Sequence, residues 1–464
     1  MRVDLWPGMR DAALLAAVAG GTWTRYGRPT PPCGIAVDSR LVCPGDLFAA
    51  LPGKQQNGRD FIASALERGA VAVLTDSMPA EPGFDCDVLT VPNVTTALLR
   101  WAAYRRQKTK ARVIGVSGSA GKTTAKEGIL HLCRTVGTAS ATVGNYNSTV
   151  GMPLSVLSFD ETDFWVVEIG VNHPGEMAPM AAALAPDLAV LTNVGSAHIG
   201  NFKNKTALIE EKAALTCGMH GEGILLVPHG LYPLLPAVPP RVVTFGVGGD
   251  FEPLSVTQEE NGVTLSVSGH GRVLDGLFWP LPGRAGEASL LLLAAVGMLL
   301  GLDEKNIRAG IAAAGKNTPR LRRYMLDERL LIDDAYNASP EATAAALETL
   351  RILAGDRPAV AVLGDMLELG DLSPALHEAV GEVAARTGLD RLYCCGRYAA
   401  ATVAGARRAG MPGERIVCSD TVDVPCLARA LSKNTPRNAV ILFKASHAAG
   451  LGEVVRLMQS GDSR

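Results

Sequence analysis

Hydrophobic and polar positions follow different patterns along the chain, and each pattern predicts a different kind of segment. Between about Gly34 and Asp76, short apolar runs are separated by turn clusters such as PGDLF. There the segment DFIASALERGA has helical spacing and precedes a buried strand, AVAVLTD. This pattern predicts a small α/β domain that ends near the basic stretch from Arg105 to Arg112.

From Val113 the pattern becomes strand, glycine loop and helix. The strand RVIGV runs into SGSAGKTT and the helix AKEGILHLCRTVG, and two further strands, DFWVVEIG and DLAVLTNVG, flank the helical segment GEMAPMAAALAP. Alternating strands and helices predict a parallel, doubly wound sheet. From about Gly223 to Pro282 helical segments are missing and an Asn261-Gly262 turn separates alternating runs, which predicts an antiparallel addition to this sheet.

After Pro319 the alternation of strands and helices resumes, from RLLIDDAYNASPEATAAALETL to AVILFKAS, and predicts a third, Rossmann-like domain. The predicted fold class is therefore α/β with three domains, at residues 1–108, 109–316 and 317–464. The length of 464 residues agrees with this division, because a single core rarely grows beyond about 250–300 residues.

Composition narrows the class of protein. The 44 basic and 46 acidic residues give a net charge of -2 without a basic block, which predicts that nucleic acid is not a partner. The nine cysteines are scattered and indicate reduced thiols. The start of the chain suits a short helix better than a signal peptide, and the apolar run from Leu290 to Leu302 is shorter than the ~20 residues that cross a bilayer. We therefore expect a soluble, cytoplasmic protein.

The clearest candidate site is a glycine loop between a predicted strand and a predicted helix. It consists of Gly118, Ser119, Ala120, Gly121, Lys122, Thr123 and Thr124. Glycines let backbone amides approach phosphate oxygens, lysine neutralises their charge, and the hydroxyl of Thr123 can hold Mg²⁺. Val116 stands where the strict Walker A pattern has glycine, so only the shorter GxxGKT form applies. The alternative is an ordinary turn followed by a lysine at a helix start.

Polar residues follow two further strands of the same predicted sheet. Glu168 ends FWVVEIG and His198 follows LAVLTNVG, at the edge where α/β sheets bind ligands. Either residue could serve Mg²⁺, or they could be a solvated acid and a hydrogen-bonded loop histidine. Lys212, beside two glutamates on a predicted helix, is by its position an ordinary surface lysine.

The segment IDDAYNASPEA places two acidic residues at the end of a strand. Asp333 and Asp334 precede a helix that we expect Ser339 to cap and Pro340 to begin. This terminus could contact a nucleotide or serve only as a cap. The sequence has no GxSxG elbow and no HExxH motif, so we expect phosphoryl transfer by positioning and electrostatics rather than by a resident nucleophile.

Taken together, these motifs resemble the Mur ligases over nearly the whole chain. The segment VDSRLVCPGDLFAALPGKQQNGRDFI is similar to the family's N-terminal UDP-binding signature, and GSAGKTTAKE, GNYNSTVGMPLSVL and VVEIGVNHPGEM are similar to its central ATPase domain. DDAYNASPEA and AVLGDMLELG are typical of the D-alanyl-D-alanine-adding branch. The branch that adds lysine or diaminopimelate would show DYAH-like and DNPR-like motifs, which the sequence lacks.

The resemblance implies an ATP-dependent, ADP-forming amide ligase of peptidoglycan precursor synthesis. Such an enzyme adds D-Ala-D-Ala to a UDP-N-acetylmuramoyl tripeptide through an acyl phosphate, uses ATP and Mg²⁺, and would be a monomer in the cytoplasm. Three alternatives remain open at this stage. They are the tripeptide-forming Mur ligase, a folylpolyglutamate synthase-like ligase, and a non-catalytic nucleotide-binding protein.

The resemblance also implies roles for individual residues. The matching positions for the UDP substrate are Asp38, Ser39 and Arg40, with Thr149 near the reaction centre. Those for ATP are the glycine loop with Arg320, Asp334 and Asn337. The implied catalytic residues are Lys122, Lys212, His198, Asn145 and Asn147. The implied Mg²⁺ ligands are Thr123, Glu168, His198 and a carbamylated Lys212.

The chain departs from the family pattern in two places. Ala285, Gly286 and Ser289 stand where the family usually has His-Asn and a further Asn near the adenine. His447 stands where arginine is usual, which removes a permanent positive charge. Both departures affect groups that would bind nucleotide or substrate, whereas the implied phosphate and metal groups are all present.

Overall fold

Three β-sheets follow one another along the chain in the computed structural model, which describes residues 1–24, 31–53, 56–77, 86–236, 241–316 and 321–460. Each sheet is accompanied by helices, so the predicted α/β class with three domains is confirmed. No helix in these ranges is long and apolar enough to span a membrane. We keep the boundaries at residues 108 and 317 as proposals.

The first sheet is small and mixed. Its strands are β1 (Arg2–Asp4), β2 (Thr22–Thr24), β3 (Gly34–Ala36), β4 (Asp46–Ala49), β5 (Ala72–Thr75) and β6 (Asp87–Thr90), and its helices are α1 (Ala12–Ala19), α2 (Ile62–Glu67) and α3 (Val94–Lys108). The order is β1-β3-β4-β5-β6-β2. Strands β3 to β6 are parallel, and the edge strands β1 and β2 are antiparallel to their neighbours.

The second sheet has nine strands. They are β7 (Arg112–Ser117), β8 (Ala139–Ala141), β9 (Phe164–Glu168), β10 (Leu188–Leu191), β11 (Ile224–Pro228), β12 (Val242–Phe245), β13 (Phe251–Glu259), β14 (Gly262–Gly269) and β15 (Arg272–Trp279). Its helices are α4 (Lys122–Cys133), α5 (Gly151–Ser158), α6 (Met177–Leu184), α7 (Lys205–Ala213), α8 (Arg284–Leu299) and α9 (Glu304–Lys316). The order is β15-β14-β13-β12-β11-β10-β7-β9-β8.

The antiparallel part of this sheet is shorter than the sequence suggested. We expected it from about Gly223, but β11 and β12 continue the parallel sheet beyond β10. Among the described strands of this sheet, the antiparallel pairs are β13 with β14 and β14 with β15. The predicted hairpin is present, but Glu259 pairs with Gly262, so its turn is Glu260-Asn261, one residue before the Asn-Gly pair.

The centre of the second sheet is covered on both faces. Alternate residues of β7 enter different apolar cores, with Ile114 and Val116 in one and Val113 in the other. Alternation of this kind follows from the two-residue period of a strand. Because both faces of the central strands are covered, polar residues at the strand ends can form a site.

The third sheet is mostly parallel. Its strands are β16 (Arg322–Leu326), β17 (Arg329–Asp334), β18 (Ala359–Leu363), β19 (Arg391–Cys395), β20 (Ile416–Ser419) and β21 (Val440–Lys444), in the order β16-β17-β21-β18-β19-β20. Its helices are α10 (Pro340–Ala354), α11 (Ser373–Arg386), α12 (Ala399–Arg408), α13 (Val424–Asn434) and α14 (Leu451–Ser460). As predicted, Ser339 caps α10 by accepting from the Ala342 amide, and Pro340 begins the helix.

Packed side chains join the first two sheets. The guanidinium of Arg105, at the end of α3, lies 4.2 Å from the ring centre of Trp6 and 4.7 Å from that of Trp165. Arg105 is fully buried and also donates to the carbonyl of Phe159 at 3.0 Å. Between the second and third sheets α8 contacts α10, and the Thr349 hydroxyl donates to the Pro282 carbonyl at 3.1 Å.

Candidate active site

The carboxyl ends of strands from the second and third sheets line one cavity of about 660 Å³. The second sheet contributes the residues that follow β7, β9 and β10, and the third contributes those that end or follow β17 and β21. Parallel strands end at a common edge, so their terminal side chains meet there. The site is therefore shared between two units, the central one built on the second sheet and the C-terminal one built on the third.

The glycine loop has a conformation that depends on its two glycines. Gly118 has φ 149°, and a Cβ placed there would lie 2.0 Å from the Thr192 hydroxyl. Gly121 has φ 77° and precedes α4. On its other side the loop is held by residues after β10, since the Thr192 hydroxyl donates to the Ala120 carbonyl at 2.6 Å and Asn193 Oδ1 accepts from the Ala120 amide at 2.9 Å.

The first turn of α4 faces the cavity and favours an anion. Lys122, Thr123 and Thr124 all line the cavity, and the first amide to bond within the helix is that of Ala125, to the Gly121 carbonyl. Amides in the first turn of a helix have no acceptor inside the helix, and the helix dipole is positive at this end. A phosphate group fits such a terminus.

Two lysines donate hydrogen bonds to the same carbonyl oxygen. Lys122 Nζ donates to Gly118 O at 2.9 Å, and Lys212 Nζ donates to it at 3.2 Å. Lys212 is 1% exposed, so its interpretation as a surface lysine is wrong. Burial, with the charge of Lys122 as a smaller cause, lowers the pKa of Lys212 from 10.5 to about 7. The amine is thus partly neutral near physiological pH.

Glu168 is a buried carboxylate with one oxygen that lacks a protein donor. It is 1% exposed, which excludes the solvated strand-end acid. Its Oε1 accepts from Asn147 Nδ2 at 2.6 Å, whereas Oε2 is buried and has no hydrogen-bond partner among the described residues. The same holds for the hydroxyl of Ser119 in the glycine loop. A buried carboxylate oxygen without a donor is costly unless a cation satisfies it.

The site therefore fits a divalent cation for which the protein supplies only part of the ligands. Glu168, Thr123 and His198 line the cavity. The described ranges contain no group of three histidine, cysteine, aspartate or glutamate side chains that could hold a metal alone. This composition suits Mg²⁺, which commonly takes one or two carboxylates and completes its shell with water and phosphate oxygens.

His198 lies where the two units meet. Its backbone is left-handed, with φ 63°, and its side chain is 18% exposed. Nδ1 of His198 is hydrogen bonded to the carboxylate of Glu368, from the segment between β18 and α11. Nearby, the Ser196 hydroxyl donates to Glu341 Oε1, on α10, at 2.7 Å.

The third sheet contributes an ion pair of which the sequence predicted Asp334 but not Lys444. Lys444 Nζ lies 2.8 Å from Asp334 Oδ2, and both residues line the cavity. Lys444 also donates to the carbonyl of Asn337, whose side-chain oxygen accepts from the Ala338 amide at 2.8 Å. Lys444 ends the buried strand β21 and would have been found by the strand-end argument applied to Glu168. Asn193, which follows β10, would have been found in the same way.

The remaining predicted residues are distributed between this cavity and other parts of the chain. Asn145 and Asn147 line the cavity, and Thr149 does not. The residues Asp38, Ser39 and Arg40 belong to the first unit, where the Arg40 guanidinium hydrogen bonds to Asp38 and lowers the pKa of that carboxyl to about 2. Arg320 lies outside the described residues.

The positions that depart from the family pattern differ in whether they line the cavity. Ala285 and Ser289 of α8 line the cavity, and the Ser289 hydroxyl donates to the Ala285 carbonyl at 2.7 Å. A Cβ on Gly286 would lie 1.7 Å from the Leu281 carbonyl oxygen, so this position has no room for a side chain. His447 does not line the cavity, and its ring packs edge-on against Tyr336 with 5.9 Å between ring centres.

Comparisons with known proteins agree over most of the chain. Three family models match in succession: Mur ligase family, catalytic domain at 33–108; Mur ligase middle domain at 116–296; and Mur ligase, glutamate ligase domain at 320–447. The chain is 32% identical over 428 residues to the UDP-N-acetylmuramoyl-tripeptide--D-alanyl-D-alanine ligase of Bacillus subtilis (strain 168). This match covers 91% of the chain and 92% of the relative.

Solved structures give the same result. MurF from Acinetobacter baumannii superposes with a TM-score of 0.87 at 25% identity, covering 99% of each chain. The MurF ligase from Thermotoga maritima in complex with ADP superposes with a TM-score of 0.77 at 26% identity, covering 92% of this chain and 97% of that one.

The fold and the site together define a three-domain α/β protein in which a phosphate-binding loop faces a C-terminal Rossmann-like unit. The chain belongs to the Mur ligase family. Within the family, the Bacillus subtilis relative carries the name of the D-alanyl-D-alanine-adding ligase, and the two solved structures carry the name MurF.

Proposed function

We propose that this protein is an ATP-dependent, ADP-forming ligase that adds D-alanyl-D-alanine to a UDP-N-acetylmuramoyl tripeptide during peptidoglycan precursor synthesis. One observation carries the proposal: a single cavity combines the glycine loop with the buried Glu168, whose second oxygen lacks a donor among the described residues. The names and coverage of the relatives supply the substrates.

The reaction would proceed in two steps. An oxygen of the tripeptide's terminal carboxylate attacks the γ-phosphorus of ATP, the bond to the β-phosphate oxygen breaks, and ADP leaves. The amine of D-Ala-D-Ala then attacks the carbonyl carbon of the acyl phosphate. The tetrahedral intermediate loses inorganic phosphate and a proton, and an amide remains.

The glycine loop would stabilise charge during the first step. The amides at the start of α4 and the ammonium of Lys122 would contact the phosphate oxygens, with the rest of the run from Gly118 to Thr124 shaping the loop. Mg²⁺, when held by Thr123, Glu168, His198 and a carbamylated Lys212, would neutralise charge on the phosphate groups. Asn147 supports this arrangement by donating to Glu168 at 2.6 Å.

The other residues would orient the substrates. Asn145 and Asn147 would lie beside the reacting carboxylate, with Thr149 on the side of the substrate. Asp334, Asn337 and Arg320 would contact the nucleotide from the C-terminal unit, which would also keep water from the acyl phosphate. Asp38, Ser39 and Arg40 would hold the UDP end. We propose that the protein is a monomer and that it acts in the cytoplasm.

A direct assay tests the proposal. Purified protein is given a UDP-N-acetylmuramoyl tripeptide, with lysine or diaminopimelate as its third residue, together with ATP and Mg²⁺. Phosphate release should require D-Ala-D-Ala and should match, mole for mole, a new pentapeptide detected by mass.

Other amines distinguish the alternatives. Release triggered by lysine or diaminopimelate on the dipeptide precursor would indicate the tripeptide-forming reaction, and release triggered by glutamate with a folate would indicate a folylpolyglutamate synthase-like reaction. Nucleotide binding without turnover on any of these substrates would indicate a non-catalytic protein. Each of these results would overturn the proposed function.

A further inference from the structure

Two loops, one from each of the units that share the cavity, are in direct contact. The loop after β10 contains His198 and Gly200, and the loop after β18 contains Glu368 and Gly370. The carboxylate of Glu368 accepts a hydrogen bond from His198 Nδ1, and the Gly200 amide donates to the Glu368 carbonyl at 3.1 Å. Glu368 therefore binds the loop after β10 through both its side chain and its backbone.

The two loops are packed so closely at Gly200 and Gly370 that neither position has space for a side chain. A Cβ on Gly200 would lie 2.3 Å from the Gly370 nitrogen, and a Cβ on Gly370 would lie 2.8 Å from the Gly200 Cα. His198 and Glu368 both have left-handed backbones, with φ 63° and 64°. Non-glycine residues keep this conformation only where the surroundings hold it. These loops thus fit each other in one arrangement, with the two units in contact.

The hydrogen bond decides which ring nitrogen of His198 keeps a free lone pair. A neutral imidazole carries one N–H, and donating it from Nδ1 to a carboxylate leaves the lone pair on Nε2. A carboxylate in this position also makes the ring a stronger ligand and fixes its orientation. His198 lines the cavity with Glu168 and Thr123, where the cation would lie.

We infer that Glu368 is a positioning residue that prepares His198 as a cation ligand only when the C-terminal unit contacts the central one. The inference rests on the proposed function for the identity of the cation. It adds that docking of the C-terminal unit and completion of the cation site are one event. Glu368 contacts neither substrate nor reacting atoms in this scheme and acts through the histidine ring.

Binding of Mn²⁺ to the full-length protein with a non-hydrolysable ATP analogue, followed by electron paramagnetic resonance, tests the inference. Glu368→Ala should weaken Mn²⁺ binding about tenfold, the lower end of the effect of losing such a partner. Glu368→Gln should lose less, because its amide oxygen can still accept from Nδ1. The matched control is Asp371→Ala, which changes an exposed acid of the same loop and should bind Mn²⁺ like the wild type.

A second variant separates this role from a general effect on folding. Gly370→Ala removes no polar group, but its methyl would meet Gly200 and hold the loops apart. It should weaken Mn²⁺ binding as Glu368→Ala does, and the double variant should be no weaker than either single one, because both changes break one contact. All variants should keep the wild-type circular dichroism spectrum.

Mn²⁺ binding by Glu368→Ala that equals that of Asp371→Ala would overturn the inference. Additive losses in the double variant would overturn the link to docking. The proposed function is tested separately, because Mn²⁺ binding requires no turnover. A wild-type protein that binds Mn²⁺ and nucleotide but makes no pentapeptide would refute the function, whereas an active wild type with an unaffected Glu368→Ala would refute only this inference.

Discussion

Lys122 and Lys212 both donate to the carbonyl oxygen of Gly118, at 2.9 and 3.2 Å, although they lie on different helices. Two ammonium groups that share one acceptor repel each other, and Lys212 is buried as well. Its lowered pKa, about 7, follows from burial first and from the charge of Lys122 second. The helix-start lysine therefore influences the chemistry of its buried neighbour, and the two should be tested together.

Replacing Lys122 by alanine should remove ATP turnover and leave the fold intact. We expect kcat to fall at least about a thousandfold, because the ammonium would offset charge on the transferring phosphoryl group. Phosphate release and circular dichroism measure the two effects. Lys305→Ala, at an exposed position of α9, is the matched control. Near-normal ligation by the Lys122 variant would contradict the role assigned to this residue.

Lys212 should carry a carbamate that depends on pH. The neutral amine attacks CO₂ and releases a proton, so occupancy should rise as pH rises through the pKa of about 7. Carbon NMR with ¹³C-bicarbonate should show a carbamate signal at about pH 8 that is weaker at about pH 6 and missing in Lys212→Arg. In Lys122→Ala, loss of the repulsion between the two ammonium groups should raise the pKa of Lys212 and move the midpoint of the carbamate signal to higher pH. An unchanged midpoint would show that the charge of Lys122 does not lower this pKa.

The same lowered pKa has a consequence for stability. Between about pH 7 and the ordinary lysine pKa of 10.5, the unfolded chain binds a proton at Lys212 that the folded chain does not. The free energy of unfolding should therefore increase with pH across this window through Lys212. Urea unfolding of wild type and Lys212→Met at both ends of the window measures the difference, and an equal slope for both proteins would contradict the assignment.

Replacing Glu168 by glutamine should weaken the cation site without weakening the fold. The change removes a buried negative charge whose Oε2 has no donor among the described residues, so thermal stability without metal should stay equal or increase. Mn²⁺ affinity should fall at least about tenfold. Calorimetry and Mn²⁺ titration measure the two effects, with Glu210→Gln as an exposed control on α7. A strongly destabilised variant with wild-type Mn²⁺ affinity would show that Glu168 is structural.

Arg105→Ala should destabilise the joint between the first two sheets. The guanidinium is fully buried between Trp6 and Trp165, so truncation removes both ring contacts and leaves a cavity. We expect a loss of about 2–4 kcal/mol in the free energy of unfolding. Lysine should restore little, because it cannot present a flat cation to two rings. Urea unfolding followed by tryptophan fluorescence measures this, with exposed Arg407→Ala as the control.

The sequence predicted the sheets well because their central strands are short apolar runs between turns, a signal that is local. It did not predict that β11 and β12 are parallel, since a buried strand has the same composition whichever way its neighbour runs. The loop from Gly118 to Thr124 was predicted from its motif. Glu168 was predicted from its position at a strand end, but its burial was not.

Contacts between distant segments account for what the sequence could not supply. Lys212 has ordinary helical neighbours, and its buried ammonium donates to a glycine loop that lies 94 residues earlier. The hydrogen bond between His198 and Glu368 spans 170 residues. No periodicity or local spacing encodes such pairs, whereas Lys444 had a local signal in its place at the end of a buried strand.

The wall that α8 presents to the cavity has a practical consequence. Ala285 offers only a methyl group, and the Ser289 hydroxyl donates its hydrogen bond to the Ala285 carbonyl of the same helix. With phosphates at the glycine loop, a purine ring resting against Ala285 and Ser289 would meet a methyl group and a hydroxyl whose hydrogen is already bonded. Nucleotides with fluorescent or bulky substituents on the ring edge should then be accepted, which would provide optical probes for this enzyme and a starting point for selective inhibitors.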